Sequence, residues 1–159
     1  MKKKHDLLYI LSVFVVVLLC WYVSKYHYQL MLVDGQSMEP TFRDKSVVLL
    51  DKHASERRTG DVVYCRCESV GRYIVKRIAA VPGDSIRAQD GVLYINGLPS
   101  AALPQENLRA PYIGDDDTLI PDGMYFLLGD NTEESVDSRY ELVGLMPEEC
   151  ILAKVITKK

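Results

Sequence analysis

From Leu7 to Val23 the chain reads LLYILSVFVVVLLCWYV, 17 residues in which Ser12 is the one strongly polar side chain. As a helix such a run reaches ~25 Å, close to the ~30 Å hydrocarbon core of a bilayer. Lys2, Lys3, Lys4 and His5 precede it, Trp21 and Tyr22 stand at the far interface, and Lys25, Tyr26, His27 and Tyr28 lead away from it. A core helix would be amphipathic, and this run has no polar face. A cleaved secretory leader also combines a basic start with an apolar centre. Its apolar part is usually ~7–15 residues and ends at a small-x-small site, whereas aromatic and charged residues follow Val23 here. The expectation is therefore an uncleaved, single-pass cell-membrane anchor whose lysines hold the N-terminus in the cytoplasm. Residues 1–5 are then a cytoplasmic tail, 6–27 the transmembrane anchor and its interface, and 28–159 an extracytoplasmic domain.

That domain reads as mostly β. Strands are expected at Val47–Asp51, Asp61–Arg66, Arg72–Val81, Ser85–Ala88, Val92–Ile95, Met124–Leu128 and Ile151–Ile156. Turn dipeptides punctuate them, and Val92-Leu-Tyr-Ile95 followed by Asn96-Gly97 is the clearest hairpin signal. The expected fold is an antiparallel sheet, barrel-like, with residues 98–121 as an irregular excursion carrying Pro99, Pro104, Pro111 and the acidic run Asp115–Asp117. A net charge of −3 argues against a nucleic-acid partner. No Gly-rich phosphate loop and no His-plus-carboxylate zinc signature occurs, so neither cofactor nor metal is expected. Cys65 and Cys67 share one strand face, where a bridge between i and i+2 would be strained; they and Cys150 read as ordinary thiols.

Catalytic chemistry has few histidines to draw on. His5 lies on the cytoplasmic side, His27 beside the membrane, and His53 in a polar run with no apolar setting. A serine nucleophile would then take another base, and lysine is the alternative. Ser37 lies in Val33-Asp-Gly-Gln-Ser37-Met-Glu-Pro-Thr41, where Gly35 permits a tight turn and Pro40 stiffens the exit. Alone, a serine in a Gly/Pro loop is a turn residue. Lys76, 39 residues on, shares its period-two strand face with Ile74 and Ile78. A lysine among isoleucines either snorkels or works, and burial lowers its pKa toward that of a useful base.

Three segments occur in order: Ser37-Met-x-Pro-Thr, Tyr-Ile-Val-Lys76-Arg-Ile-x-x-x-Pro-Gly-Asp84, and Gly129-Asp-Asn-x-x-x-Ser135-x-Asp137-Ser-Arg139. Together, behind an N-in anchor, they resemble the bacterial type I signal peptidases, in a minimal form that uses a Ser–Lys dyad. The resemblance implies that Ser37 is the nucleophile and Lys76 the general base. It implies that Ser135 orients the lysine amine, that Asp137 and Arg139 form a supporting ion pair with Arg77 nearby, and that Gly129, Asp130 and Asn131 make the positioning turn. Val33, Met38, Phe42, Ile74 and Val75 fall where that family lines its pockets for small residues. The implied activity is removal of N-terminal signal peptides from exported preproteins after a small-x-small site, at the lipid bilayer.

Three departures from the family pattern stand out. Gly35 occupies the place where some members carry a serine or threonine whose hydroxyl completes the oxyanion hole. Thr132 stands where an arginine often follows Gly-Asp-Asn, and Tyr140-Glu-Leu-Val-Gly144 is longer than the usual return to glycine. Two other readings compete. Self-cleaving repressors share the dyad but carry a DNA-binding helical domain, which has no room before residue 30. An anchored β domain that only binds peptides would have no reason to keep Ser37, Lys76 and Ser135 together.

Overall fold

The structure, a computed structural model, describes residues 2–105 and 108–157, with side chains from residue 5 onward. The side chains of Lys2, Lys3 and Lys4, on which the expected orientation rests, lie outside the described residues, as do residues 106–107 of the expected excursion. Helix α1 runs Lys2–Tyr26, and its stretch His5–Tyr26, 22 residues with a mean hydropathy of 2.5, is long and apolar enough to cross a membrane. Every large apolar side chain from Leu7 to Leu19 is exposed, so the rest of the fold does not bury this helix. A helix that is apolar all round and uncovered by protein suits lipid.

Eleven strands follow among the described residues. Seven form one antiparallel sheet: β1 (Tyr28–Leu32), β2 (Val47–Asp51), β3 (Val62–Cys67), β4 (Arg72–Ala80), β9 (Met124–Leu128), β10 (Met146–Pro147) and β11 (Ile151–Val155), in the order β1-β2-β11-β3-β4-β9-β10. The other four, β5 (Ser85–Gln89), β6 (Val92–Ile95), β7 (Leu98–Ala102) and β8 (Thr118–Leu119), form a second sheet in the order β7-β6-β5-β8. Each of the seven runs expected from sequence is a strand, within one residue at either end. The sheet architecture is the expected one, but neither sheet closes into a barrel: β1 and β10 end one, β7 and β8 the other.

The excursion at 98–121 also needs correcting, because it opens with β7 and ends with β8. Asn96 and Gly97, both at positive φ (50° and 76°), fold the chain straight back after β6. That is the two-residue turn whose twist matches a hairpin. β7 therefore pairs with β6 although it contains Pro99, which is tolerated because β7 is an edge strand.

Three apolar clusters hold the sheets. Ile86, Leu93, Ile113 and Phe126 join the small sheet to β9; Val63, Cys65, Ile78 and Leu127 fill the centre of the large sheet; Val33, Met38, Phe42, Val48 and Leu50 pack beneath β1 and β2. Cys65 and Cys67 are buried as free thiols in the central cluster, with free Cys150 half-buried against it. β4 passes through the middle of this arrangement, with β3 from Arg72 to Arg77 on one side and β9 only from Arg77 onward on the other.

Candidate active site

The pleat of β4 decides where Lys76 points. Ile78 and Ala80 are fully buried on its inner face, and alternation places Lys76 on that face, where it is 4% exposed. Its Nζ donates to Ser135 Oγ at 2.8 Å, and Ser135 Oγ donates to Asp137 Oδ2 at 2.7 Å. Asp137 is completely buried. Its Oδ2 also accepts from the Gly129 N–H at 3.0 Å and from Arg139 Nη2 at 3.1 Å, while Oδ1 accepts from Arg139 Nε at 2.8 Å. Arg139 uses its remaining donors on backbone carbonyls of Ala102 (2.7 Å), Thr132 (2.8 Å) and Ser135 (3.2 Å). One buried guanidinium thus ties the end of β7, the turn after β9 and the Ser135 segment to a single carboxylate. The carbonyl of Thr132, not its side chain, serves the site.

Ser37 comes from the loop between β1 and β2. Val33 and Lys45 close the neck of that loop, through Val33 N–H to Ser46 O at 2.8 Å and Lys45 N–H to Val33 O at 2.9 Å. Gly35 has φ +100°, a conformation that favours glycine, and its N–H donates to Asp44 Oδ1 at 2.8 Å. The turn after β9 then fastens the loop from the other side. Asn131 donates from its backbone N–H to Ser37 O at 3.1 Å and from Nδ2 to Gln36 O at 3.3 Å. Gly129 lets the two segments meet. A Cβ there would come closer than 3.0 Å to Ser135 Oγ, Ser135 Cβ and Ser37 O at once.

Arg77, next to Lys76 but on the opposite face, pairs with Asp130 through Nε at 2.7 Å and Nη2 at 2.6 Å. Its Nη1 donates to Gly60 O at 2.6 Å. Burial opposes ionisation of Asp130, but hydrogen bonds from Arg77 and Thr41 outweigh it and hold that carboxyl below its ordinary pKa. At Lys76 burial is the largest influence and lowers the amine from 10.5 to about 8; Asp137 and Asp130 work against the shift, and Arg139 works with it. The cause is desolvation of the ammonium, which the neutral amine escapes.

Ser37 and Lys76 line one cavity of about 560 Å³. Of the expected pocket residues, Val33, Met38, Ile74 and Val75 line it too. Phe42 is not among the lining residues; it lies in the turn that follows Ser37 and is buried in the core cluster with Met38, Val48 and Leu50. Sequence reasoning passed over Tyr64 and Tyr73, whose rings stack at 5.3 Å beside the cavity, and Val136 and Leu142 on its opposite wall. It also passed over Thr41, a hydrogen-bond partner of Asp130, although Thr41 stands in the same short segment as Ser37.

A hydroxyl and a desolvated amine lining one cavity, the amine linked through Ser135 to a carboxylate already paired with arginine, suit acyl transfer. The chain belongs to the family described as signal peptidase, peptidase S26, whose sequence model matches residues 7–158. Signal peptidase I U of Bacillus subtilis (strain 168) is 30% identical to it over 95% of this chain and 86% of that protein. Signal peptidase I T of the same strain is 32% identical over 89% of this chain and 78% of its own length. Signal peptidase IB of Staphylococcus aureus (strain Mu50 / ATCC 700699) is 30% identical over 96% and 88%. Among solved structures, a signal peptidase I from Enterococcus faecalis V583 is 26% identical, with a TM-score of 0.45, over 64% of this chain and 97% of that one.

Two substitutions probe the packing and the charge of the site. Gly129→Ala must force Ser37 and Ser135 apart, and is expected to lower stability by about 1–3 kcal/mol in denaturant unfolding and to reduce turnover more than substrate affinity. An unaltered kcat would contradict the close approach. For Lys76 the unfolded chain binds the proton up to about pH 10.5 and the folded chain only up to about 8. Between those values the unfolded state holds more protons, so stability rises with pH; below about 8 the buried ammonium weakens the fold by its full amount, about 3 kcal/mol. Lys76→Met is expected to melt at or above the wild-type temperature at pH 6, with the difference shrinking from pH 8 to 10.5. A variant that is less stable at pH 6 would show that the ammonium holds the fold together.

Proposed function

We propose that this chain is a membrane-anchored serine endopeptidase that removes N-terminal signal peptides from exported preproteins after a small-x-small site, with Ser37 as nucleophile and Lys76 as general base. The observation that carries the reading is the buried Lys76 amine, lowered to about 8, lining the same cavity as Ser37. Near neutral pH an amine of ordinary pKa is almost wholly protonated; this one is neutral in a useful fraction of molecules and can accept a proton.

Neutral Lys76 takes the proton of Ser37 as Oγ attacks the carbonyl carbon of the scissile peptide bond. The backbone N–H of Ser37 meets the developing oxyanion, a role that Gly35, lacking a hydroxyl, leaves to backbone donors. Collapse breaks the C–N bond, the leaving amine receives the proton from Lys76, and the signal peptide stays as an ester on Ser37. Water, deprotonated by the same amine, hydrolyses the ester and restores the hydroxyl. Ser135 is a positioning residue: by accepting from the amine it directs Nζ, and by donating to Asp137 it fixes its own hydroxyl.

The unpaired edge of β4 supports a peptide substrate. From Arg72 to Lys76 its second edge has no strand partner among the described residues, and it faces the cavity. An extended chain can add there as a further strand, its side chains alternating between the Val33–Met38 wall and the Ile74 side. Ala and Gly are the residues expected at the first and third places before the cut. With α1 in the bilayer, N-terminus in the cytoplasm, enzyme and exported preprotein share one membrane, which raises their effective concentration.

A peptide with Ala at the first and third places before the cut is expected to be processed. Replacing the first of these by Leu or Lys should lower kcat/KM on the order of 100-fold. Ser37→Ala should bind the Ala peptide and leave it whole. Equal processing of the Leu or Lys peptide, or cleavage by the Ser37→Ala protein, would contradict the assignment.

A further inference from the structure

The cavity is longer than a pair of small-residue pockets requires. It continues along β4 past Ile74 to Arg72 and Val70, and at that end its wall changes character. Val70 and Ile74 pack in the same apolar cluster as Val143, which brings the turn Tyr140–Gly144 over this end of the groove. Val143 is buried there, whereas its neighbour Leu142 lines the cavity and is 55% exposed. Val136, directly after Ser135, lines the same wall and is 46% exposed, and Tyr73 faces the groove at 55%. Apolar side chains gathered at the mouth of a catalytic groove and left uncovered by the fold mark a surface that something else covers.

We propose that Leu142 and Val136 form an apolar subsite that selects the fourth or fifth substrate residue before the cut; the proposal rests on the peptidase reading of the same cavity. The direction follows from the two ends of the free edge. Beyond Lys76, β9 joins β4 at Arg77, and the Arg77–Asp130 pair closes that side. The pocket residues Ile74 and Val75 lie on the other side of Lys76, so upstream substrate runs toward Arg72. A strand advances ~3.3 Å per residue, which puts Ile74 ~7 Å and Arg72 ~13 Å from Lys76. A peptide with its reacting carbonyl at Lys76 therefore sets its third residue beside Ile74 and its fifth beside Arg72, under Leu142. An apolar side chain there covers Leu142 and Val136, whereas a neutral amide of similar size, which Arg72 does not attract as it would a carboxylate, gives up water against them.

The test is a peptide series with Ala at the first and third places, carrying Leu or Asn at the fourth, fifth or sixth place before the cut, or at the second place after it. For wild type the Leu:Asn ratio of kcat/KM is expected to reach about tenfold at the fourth or fifth place, carried by KM. In the double variant Leu142→Ser, Val136→Ser it should fall toward one, and in Leu119→Ser, which alters an exposed leucine outside the cavity, it should stay. The ratio cancels any general loss of activity. A ratio that survives the double substitution, a wild type without upstream preference, or a preference confined to the place after the cut would overturn the subsite alone. A wild type that cuts none of the series would overturn the peptidase reading and the subsite with it.

Discussion

The Asp137–Arg139 pair sets the character of everything around it. Moving an isolated carboxylate into a protein interior is very costly, and Asp137 has no exposure at all. Arg139 covers it with two charge-assisted hydrogen bonds, and Gly129 and Ser135 supply two further donors. Because the charge of Asp137 is already matched, it does not hold Lys76 in its ammonium form. Its pull toward the charged state is opposed by Arg139, and burial decides the outcome. Removing the guanidinium alone would leave a buried carboxylate next to a buried amine, and the two would pair as ions. The lowered pKa of Lys76 therefore depends on an arginine with which it shares no hydrogen bond.

The fold supplies this arrangement by joining parts that are distant in the chain. The alternation of β4 sends Lys76 inward and Arg77 outward, so adjacent cations serve different partners: Ser135 on one face and Asp130 on the other. β9 delivers the turn 129–131, which holds the Ser37 loop through Asn131 and admits Ser135 because residue 129 has no side chain. Ser138 continues β9 by exchanging hydrogen bonds with Leu127, through its own N–H and through its hydroxyl, each at 3.0 Å. Ser37, Lys76 and the ion pair thus come from three separate segments of the chain: the loop between β1 and β2, β4, and the segment after β9.

Legibility in the sequence followed how much of each feature was local. Val92–Ile95 with Asn96-Gly97 carries its own turn, and Lys76 announces itself by standing on an apolar face. β1 was missed because Leu30 and Leu32 are exposed, so it reads as a continuation of the anchor and not as an alternating strand. β7 was hidden by Pro99, and β8 and β10 are two residues each, held by partners far along the chain. Ser135, Asp137 and Arg139 look like a polar turn with a surface ion pair. Only the family resemblance pointed to them, since their burial comes from Ala102, Thr132 and Gly129, which no local pattern connects. Phe42 went the other way, placed in the pocket by resemblance and in the core by its packing.

The central claim is that Lys76 is a buried amine, neutral in part at neutral pH, and it can be read directly. Selective isotope labelling of the lysine side chains, with Lys76→Met to assign the signal, allows the Nζ resonance to be followed from pH 5 to 11 in the full chain in detergent. A single midpoint near 8 is predicted, moving upward in Arg139→Met as Asp137 loses its partner. A midpoint at or above 10.5 in the wild type, where an ordinary lysine titrates, would contradict the account.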